Sequence, residues 1–254
     1  MARTYYGPFN EQYNDYATPR GGNAGRFPAG SKLVLPDERA YRFTENDGTA
    51  EVAATLYQSA LPIAHATETV VNVATAAGAT SLSSTHGGST VAVDLYAEGT
   101  VHTNKTTGLG YAFRIKRAVT AGQGHAAVGS GAVITVNLET PETLQVALTT
   151  SSELTYTQNR FRNVLIHASP PTGALVGVSP GVAAADRWYW SQTEGDARII
   201  ASGTLVIGDF GVPSATTDGT VMPSAAFETD GPYIGVVRHV NITTEIALID
   251  LKLD

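Results

Sequence analysis

Apolar and polar positions alternate along much of the chain with a period of two, the repeat of an extended strand. The last stretch, "ALIDLKLD", is the clearest case. Ile249, Leu251 and Leu253 share one side while Asp250, Lys252 and Asp254 share the other, which predicts a half-buried antiparallel strand. "TVAVDLYAEGTVHT" meets "GYAFRIKRAV" across the glycine-bearing loop "NKTTGLG", and "ERAYRF" runs into a hairpin-like turn at Asn46-Asp47-Gly48. "ETVVNVAT" and "SLSST" are separated by "AAGAT", and "AVITVNL", "ELTYTQ" and "NVLIHA" follow as further short strands. Helical periodicity is weak. Only "GTAEVAATLYQSAL" places Val52, Leu56 and Tyr57 on one helical face.

The stretch "DRWYWSQTEGDA" holds both tryptophans. In extended backbone Trp188 and Trp190 point to one face and Tyr189 and Ser191 to the other. Gly195-Asp196 is expected to turn the chain into "ARIIASGTLVIG". Two tryptophans on one face suit either a stacking platform for sugar rings or, more commonly, an anchor in a core or subunit interface.

The first residues break the pattern. "ARTYYGPFNEQYNDYATPRGGNAGRFPAGS" has no strand or helix period and is rich in Asn, Gly, Pro and Arg, as in a disordered terminus. Tyr5, Tyr6, Phe9, Tyr13, Tyr16 and Phe27 make it too aromatic for an inert tail. The second reading is an extended arm that orders on a neighbouring subunit. "HASPPTGALVGVSPGVAAAD", with three prolines, reads as a boundary or a long crossover. The expected organisation is an N-terminal arm over 1–31, a central β domain over 32–170 and a C-terminal β domain over 171–254.

Composition agrees with an all-β protein. Charged residues make up only 15% of the 254, and there are 26 Gly and 12 Pro, which suits many short strands and tight turns rather than long solvated helices. The net charge of −7 disfavours broad contact with nucleic-acid phosphates, so no nucleic-acid partner is expected. With no cysteine, disulfides and thiolate chemistry are excluded. No apolar run approaches the about eighteen residues of a membrane span, and "MARTYYGPFNEQ" carries no leader-like apolar segment. No membrane partner is expected, and synthesis is expected in the cytosol.

Candidate chemistry is thin. "GVSPG" fits the G-x-S-x-G pattern, but the residue after Ser179 is Pro180, which has no N–H to offer an oxyanion. Asp186, Glu194 and Asp196 offer carboxylates for an acid–base pair, yet carboxylates at strand ends are ordinarily just solvated. The glycine clusters Gly108–Phe113 and Gly122–Gly131 lack the strand and helix context of a phosphate loop. The six histidines lie sixteen residues or more apart, without metal-ligand spacing. No catalytic residue, cofactor or metal is therefore assigned.

Five phrases, in order, resemble virion structural proteins of tailed bacteriophages. They are "YRFTENDGTAEVAATLYQSALPIA", "DLYAEGTVHTNKTTGLGYAFRIK", "LQVALTTSSELTYTQNRFRNVLIH", "VGVSPGVAAADRWYWSQTEGDARII" and "YIGVVRHVNITTEIALIDLKLD". Within that group the chain is most similar to capsid decoration (cement) proteins, through "SGTLVIGDFGVPSATTDGTVMPSAAFETDGPYIGVV". There "GTLVIGD", a turn at Asp218-Gly219 and "PYIGVV" would form successive strands. The resemblance implies antiparallel β-sandwich or barrel-like units, β-tulip-like at the C-terminus. It also implies a homotrimer seated on the major capsid protein at the outer surface of the virion, without catalysis. The expected interface residues are Tyr5, Tyr6, Phe9, Tyr13, Tyr16, Arg20, Arg26 and Phe27. Trp188 and Trp190 come second, as core or trimer-axis anchors. The alternative is a tail- or head-fibre module that binds a host glycan through an exposed tryptophan.

Overall fold

The computed structural model describes residues 3–14, 16–17, 27–224, 232–242 and 245–254. The protein is nearly all β; among the described residues the helical pieces are two short 3₁₀ turns, Glu11–Tyr13 and Ala64–Ala66. Contacts divide the chain into two compact units. One combines residues 1–18, 25–61 and 160–254, and the other is built on residues 62–159.

The first unit is organised on one strand of 14 residues, Arg187–Ile200. Its beginning pairs antiparallel with Ala40–Glu45, placing Trp188 opposite Glu45 and Trp190 opposite Phe43. Its end pairs antiparallel with Ile246–Lys252, placing Ala197 opposite Ile249. The predicted turn at Gly195-Asp196 is instead continuous strand, paired opposite Leu251 and Asp250. The register slips just before it, between Gln192 and Glu194, and Gly195 adopts φ +78°, a conformation glycine takes without a steric cost. The Gln192 side-chain amide donates toward the carbonyls of Glu194, Gly195 and Asp196, at 3.1, 3.4 and 3.0 Å, which satisfies the groups the slip leaves over.

Side-chain alternation holds where it was clearest. Ile249 and Leu251 are buried, and Lys252 lies on the exposed side. Trp188 and Trp190 join a cluster with Leu33, Leu35, Tyr41 and Phe43. Tyr189 faces the opposite cluster, with Tyr57, Val164, Val176 and Ala183.

Three expectations are corrected. No helix forms over 48–61. The chain there turns at Ala53-Ala54 and reaches sideways, Glu51 N–H to Ala183 O at 2.8 Å and Ala54 N–H to Ser179 O at 2.9 Å, before the strand Leu56–Gln58 pairs with Leu175–Val178. Cross-strand partners for the N–H groups outweigh a marginal helical propensity. The expected boundary at 170/171 falls where those same pairings run, so residues 32–61 lie with the C-terminal part of the chain. Residues 203–209 form a loop, with Val206 and Ile207 exposed, and the strand begins only at Phe210. The Asp218-Gly219 turn is present, with Gly219 at φ +72°.

In the second unit the predicted hairpin forms, Thr100–Lys105 against Ala112–Arg114. Ser81–Thr85 pairs with Val133–Asn137. The glycine cluster 122–131 closes around a carboxylate of its own chain. Asp94 accepts the N–H groups of Gly122, Gly124 and His125 at 2.5, 2.8 and 3.0 Å. His125 Nε2 in turn accepts the Tyr96 N–H at 3.0 Å. Charge-assisted bonds of this kind contribute about 1.5–3 kcal/mol each. Asp94→Ala should therefore speed hydrogen exchange at Gly122, Gly124 and His125 by more than about tenfold, with the Ile246–Lys252 strand of the first unit as the unaffected reference.

Candidate interaction surface

The residues singled out from sequence separate into an interior set and a surface set. Trp188 and Trp190 are fully buried. Phe43 stacks on Trp188 at 5.0 Å with the rings within 10° of parallel, and tilts against Trp190 at 4.9 Å. Phe27 packs on Trp190 at 5.3 Å and Tyr5 on Phe27 at 4.5 Å. Arg162 lies over the Trp188 ring at 5.7 Å and bonds Glu45 at 2.8 Å. Aromatic pairs in these geometries add about 0.5–1.5 kcal/mol each beyond the area they bury. The tryptophans are core anchors, and neither offers a face to a sugar ring.

The N-terminal segment is fastened to this core. Residues Thr4–Tyr6 run parallel to Lys32–Val34, and the Gly7 N–H continues to Val34 O at 3.2 Å. The 3₁₀ turn Glu11–Tyr13 inserts Gln12, which is only 4% exposed. Its Oε1 accepts from the Tyr41 hydroxyl and from Arg39 Nη1, the latter at 3.1 Å, and its Nε2 donates to Phe9 O at 2.9 Å. Burial pushes the Tyr41 hydroxyl well above its ordinary pKa, so it stays a donor to Gln12 at any physiological pH. Gln12, Arg39 and Tyr41 carry no signature in the sequence; what reveals them is that an amide, a guanidinium and a phenol meet only after folding.

The fastening leaves the remaining aromatics outside. Tyr6 is 83% exposed, Phe9 53% and Tyr13 52%. Tyr13 borders a cleft of about 90 Å³ that Ala53, Pro180, Arg198 and Ile246 also line, and Arg198 Nη2 reaches the Tyr13 hydroxyl at 3.4 Å. Val182, 78% exposed, stands across a smaller cleft from Tyr13. Tyr16 pairs through its backbone with Trp188. Arg20 and Arg26 lie outside the described residues. The expected arm boundary at residue 31 falls inside the body, because Ala29 is buried and Phe27 packs against the tryptophan cluster.

The catalytic candidates are dispersed in other interactions. Glu194 bonds Lys32 at 2.8 Å and Asp196 faces Arg238 at 3.5 Å. The Ser179 hydroxyl, buried, donates to Gly181 O at 2.6 Å. His167 is likewise buried, its Nε2 set 2.9 Å from Thr220 O. Among the described residues no group of three or more histidines and carboxylates is placed to hold a metal ion. No protein-family model, curated protein or solved structure matches this chain.

Full burial of both indoles sets a plain optical expectation: blue-shifted emission that acrylamide quenches weakly and glycans leave unmoved. Removing one indole, Trp190→Ala, should cost about 3–5 kcal/mol of unfolding free energy. Tyr6→Ala should stay within about 0.5 kcal/mol of the parent. Urea titration of the three proteins reads both.

Proposed function

We propose that this chain is a structural attachment protein, specifically a capsid decoration protein of a tailed bacteriophage. In this reading it seats as a homotrimer on the major capsid protein at the outer surface of the shell and stabilises it. The observation that carries the reading is the display of Tyr6, Phe9 and Tyr13, all more than half exposed, on a segment pinned by Tyr5, Gly7 and Gln12. Aromatic side chains are enriched at the centres of protein interfaces, where each buries a large area with few rotatable bonds. Holding them on a fastened backbone means that docking has little chain left to order. The virion setting and the trimer come from the sequence resemblance. Three copies of one patch about an axis let weak contacts act together.

The test is a triple variant, Tyr6→Ser, Phe9→Ser and Tyr13→Ser, rather than a deletion, since cutting at residue 31 would strip Phe27 and Ala29 from the tryptophan cluster. The variant should keep the parent's unfolding transition yet lose co-sedimentation with undecorated capsids by more than about tenfold. Light scattering on the parent should give three times 26.5 kDa. A variant that folds and still binds capsids as the parent does would overturn the assignment of this surface.

A further inference from the structure

Glu51 is 1% exposed. It sits on the loop between the strands Ala40–Glu45 and Leu56–Gln58, beside the cluster of Tyr57, Val164, Val176, Ala183 and Tyr189. Burial acts most strongly on its carboxyl; hydrogen bonds with the phenols of Tyr57, from the short strand, and Tyr189, from the long strand, partly offset it, and Asp47 from its own loop adds a second acid, with no cation among these groups. Its Oε2 has no hydrogen-bond partner among the described residues. A carboxylate in such surroundings has lost water and gained no counter-charge, so the uncharged acid is the form that fits.

The ends of this loop are firmly tied, Asn46 N–H to Arg187 O at 3.0 Å, Asp47 N–H to Val164 O at 2.9 Å and Ser179 N–H to Thr55 O at 3.0 Å; between them a smaller set of bonds flanks Glu51. Glu51 N–H reaches Ala183 O at 2.8 Å, Ala54 N–H reaches Ser179 O at 2.9 Å, and Ile200 N–H reaches Ala54 O at 2.9 Å. Val52 N–H bonds the Tyr57 hydroxyl at 2.8 Å. Ala54 holds φ +60°, a left-handed conformation that is strained for a non-glycine residue and persists only while its surroundings impose it.

We propose that Glu51 is a proton-operated latch: the neutral acid lets the middle of this loop, residues 50–54, stay closed against the 179–183 segment, and loss of the proton releases it. Ala53 and Ala54 form part of the wall of the cleft beside Tyr13, so release dismantles one side of that cleft. The latch stands on its own geometry. Only its bearing on attachment rests on the function proposed above.

Burial raises the Glu51 carboxyl to about 8, whereas a solvated Glu titrates near about 4.3. The closed loop therefore holds a proton that the open loop gives up. Closure is at full strength below the solvated value and weakens as pH rises toward 8, after which it levels off. Across that window the opening constant grows about tenfold per pH unit.

Hydrogen exchange on the free full-length protein reads this directly and needs no capsid, so its failure is separate from failure of the attachment reading. Exchange chemistry, first order in hydroxide, accelerates about tenfold per pH unit at any amide whose opening is pH-independent. Between pH 5 and about 8 the amides of Glu51, Val52 and Ala54 should accelerate up to about a hundredfold per unit. The strand Val133–Asn137 should follow the ordinary slope. In Glu51→Gln the loop amides should fall back to that ordinary slope, isolating the carboxyl as the cause. Loop and reference amides that run parallel in the parent protein would overturn the proposal, whether or not the variant folds.

Discussion

The packing of Phe43 between Trp188 and Trp190 is the contact on which the first unit depends. It joins the strands Ala40–Glu45 and Arg187–Ile200, which lie far apart in sequence, and it brings Phe27, and through it Tyr5, into the same cluster. A long-range aromatic contact of this kind must repay the closure of a long intervening chain, and a large buried area is what permits it. Once it is in place, the long strand is held on one side by Glu45 through Ala40 and on the other by Ile246 through Lys252. The remaining elements add to that framework.

The two faces of the long strand divide the labour. One face is dry and aromatic. The other carries Tyr189 into a cluster that includes two phenols and lies beside the buried Glu51. The first face fixes the N-terminal segment from below, and Gln12 fixes it from the side through Tyr41 and Arg39. Exposure of Tyr6, Phe9 and Tyr13 follows from this arrangement, since the strand pairing that buries Tyr5 turns Tyr6 outward. Display of the aromatics is thus a consequence of how the core is built.

Much of the local structure was legible in the sequence because strand alternation is a local signal. The final strand, the hairpin around "NKTTGLG" and the opposed faces of Trp188 and Tyr189 all follow from a period of two. What was not legible was pairing across distance. Residues 48–61 carry a helical spacing, yet the donors of Glu51 and Ala54 find carbonyls at Ala183 and Ser179, which no window of sequence displays. Gly195 reads as a turn because a glycine beside an acid is a common turn pair; only the partner strand running on past it shows that the chain stays extended. At the surface, the aromatic character of Tyr6, Phe9 and Tyr13 was evident, while the fastening by Gln12 was not, because its partners lie 27 and 29 residues away.

In the proposed reading, attachment runs through the exposed Tyr6, Phe9 and Tyr13 and leaves the buried Trp188 and Trp190 untouched. Hydroxyl-radical footprinting of the protein, free and then bound to capsids, tests it most directly. Binding should protect Tyr6, Phe9 and Tyr13 while Trp188 and Trp190 stay weakly labelled in both states. Equal labelling of the three exposed residues before and after binding would contradict the account.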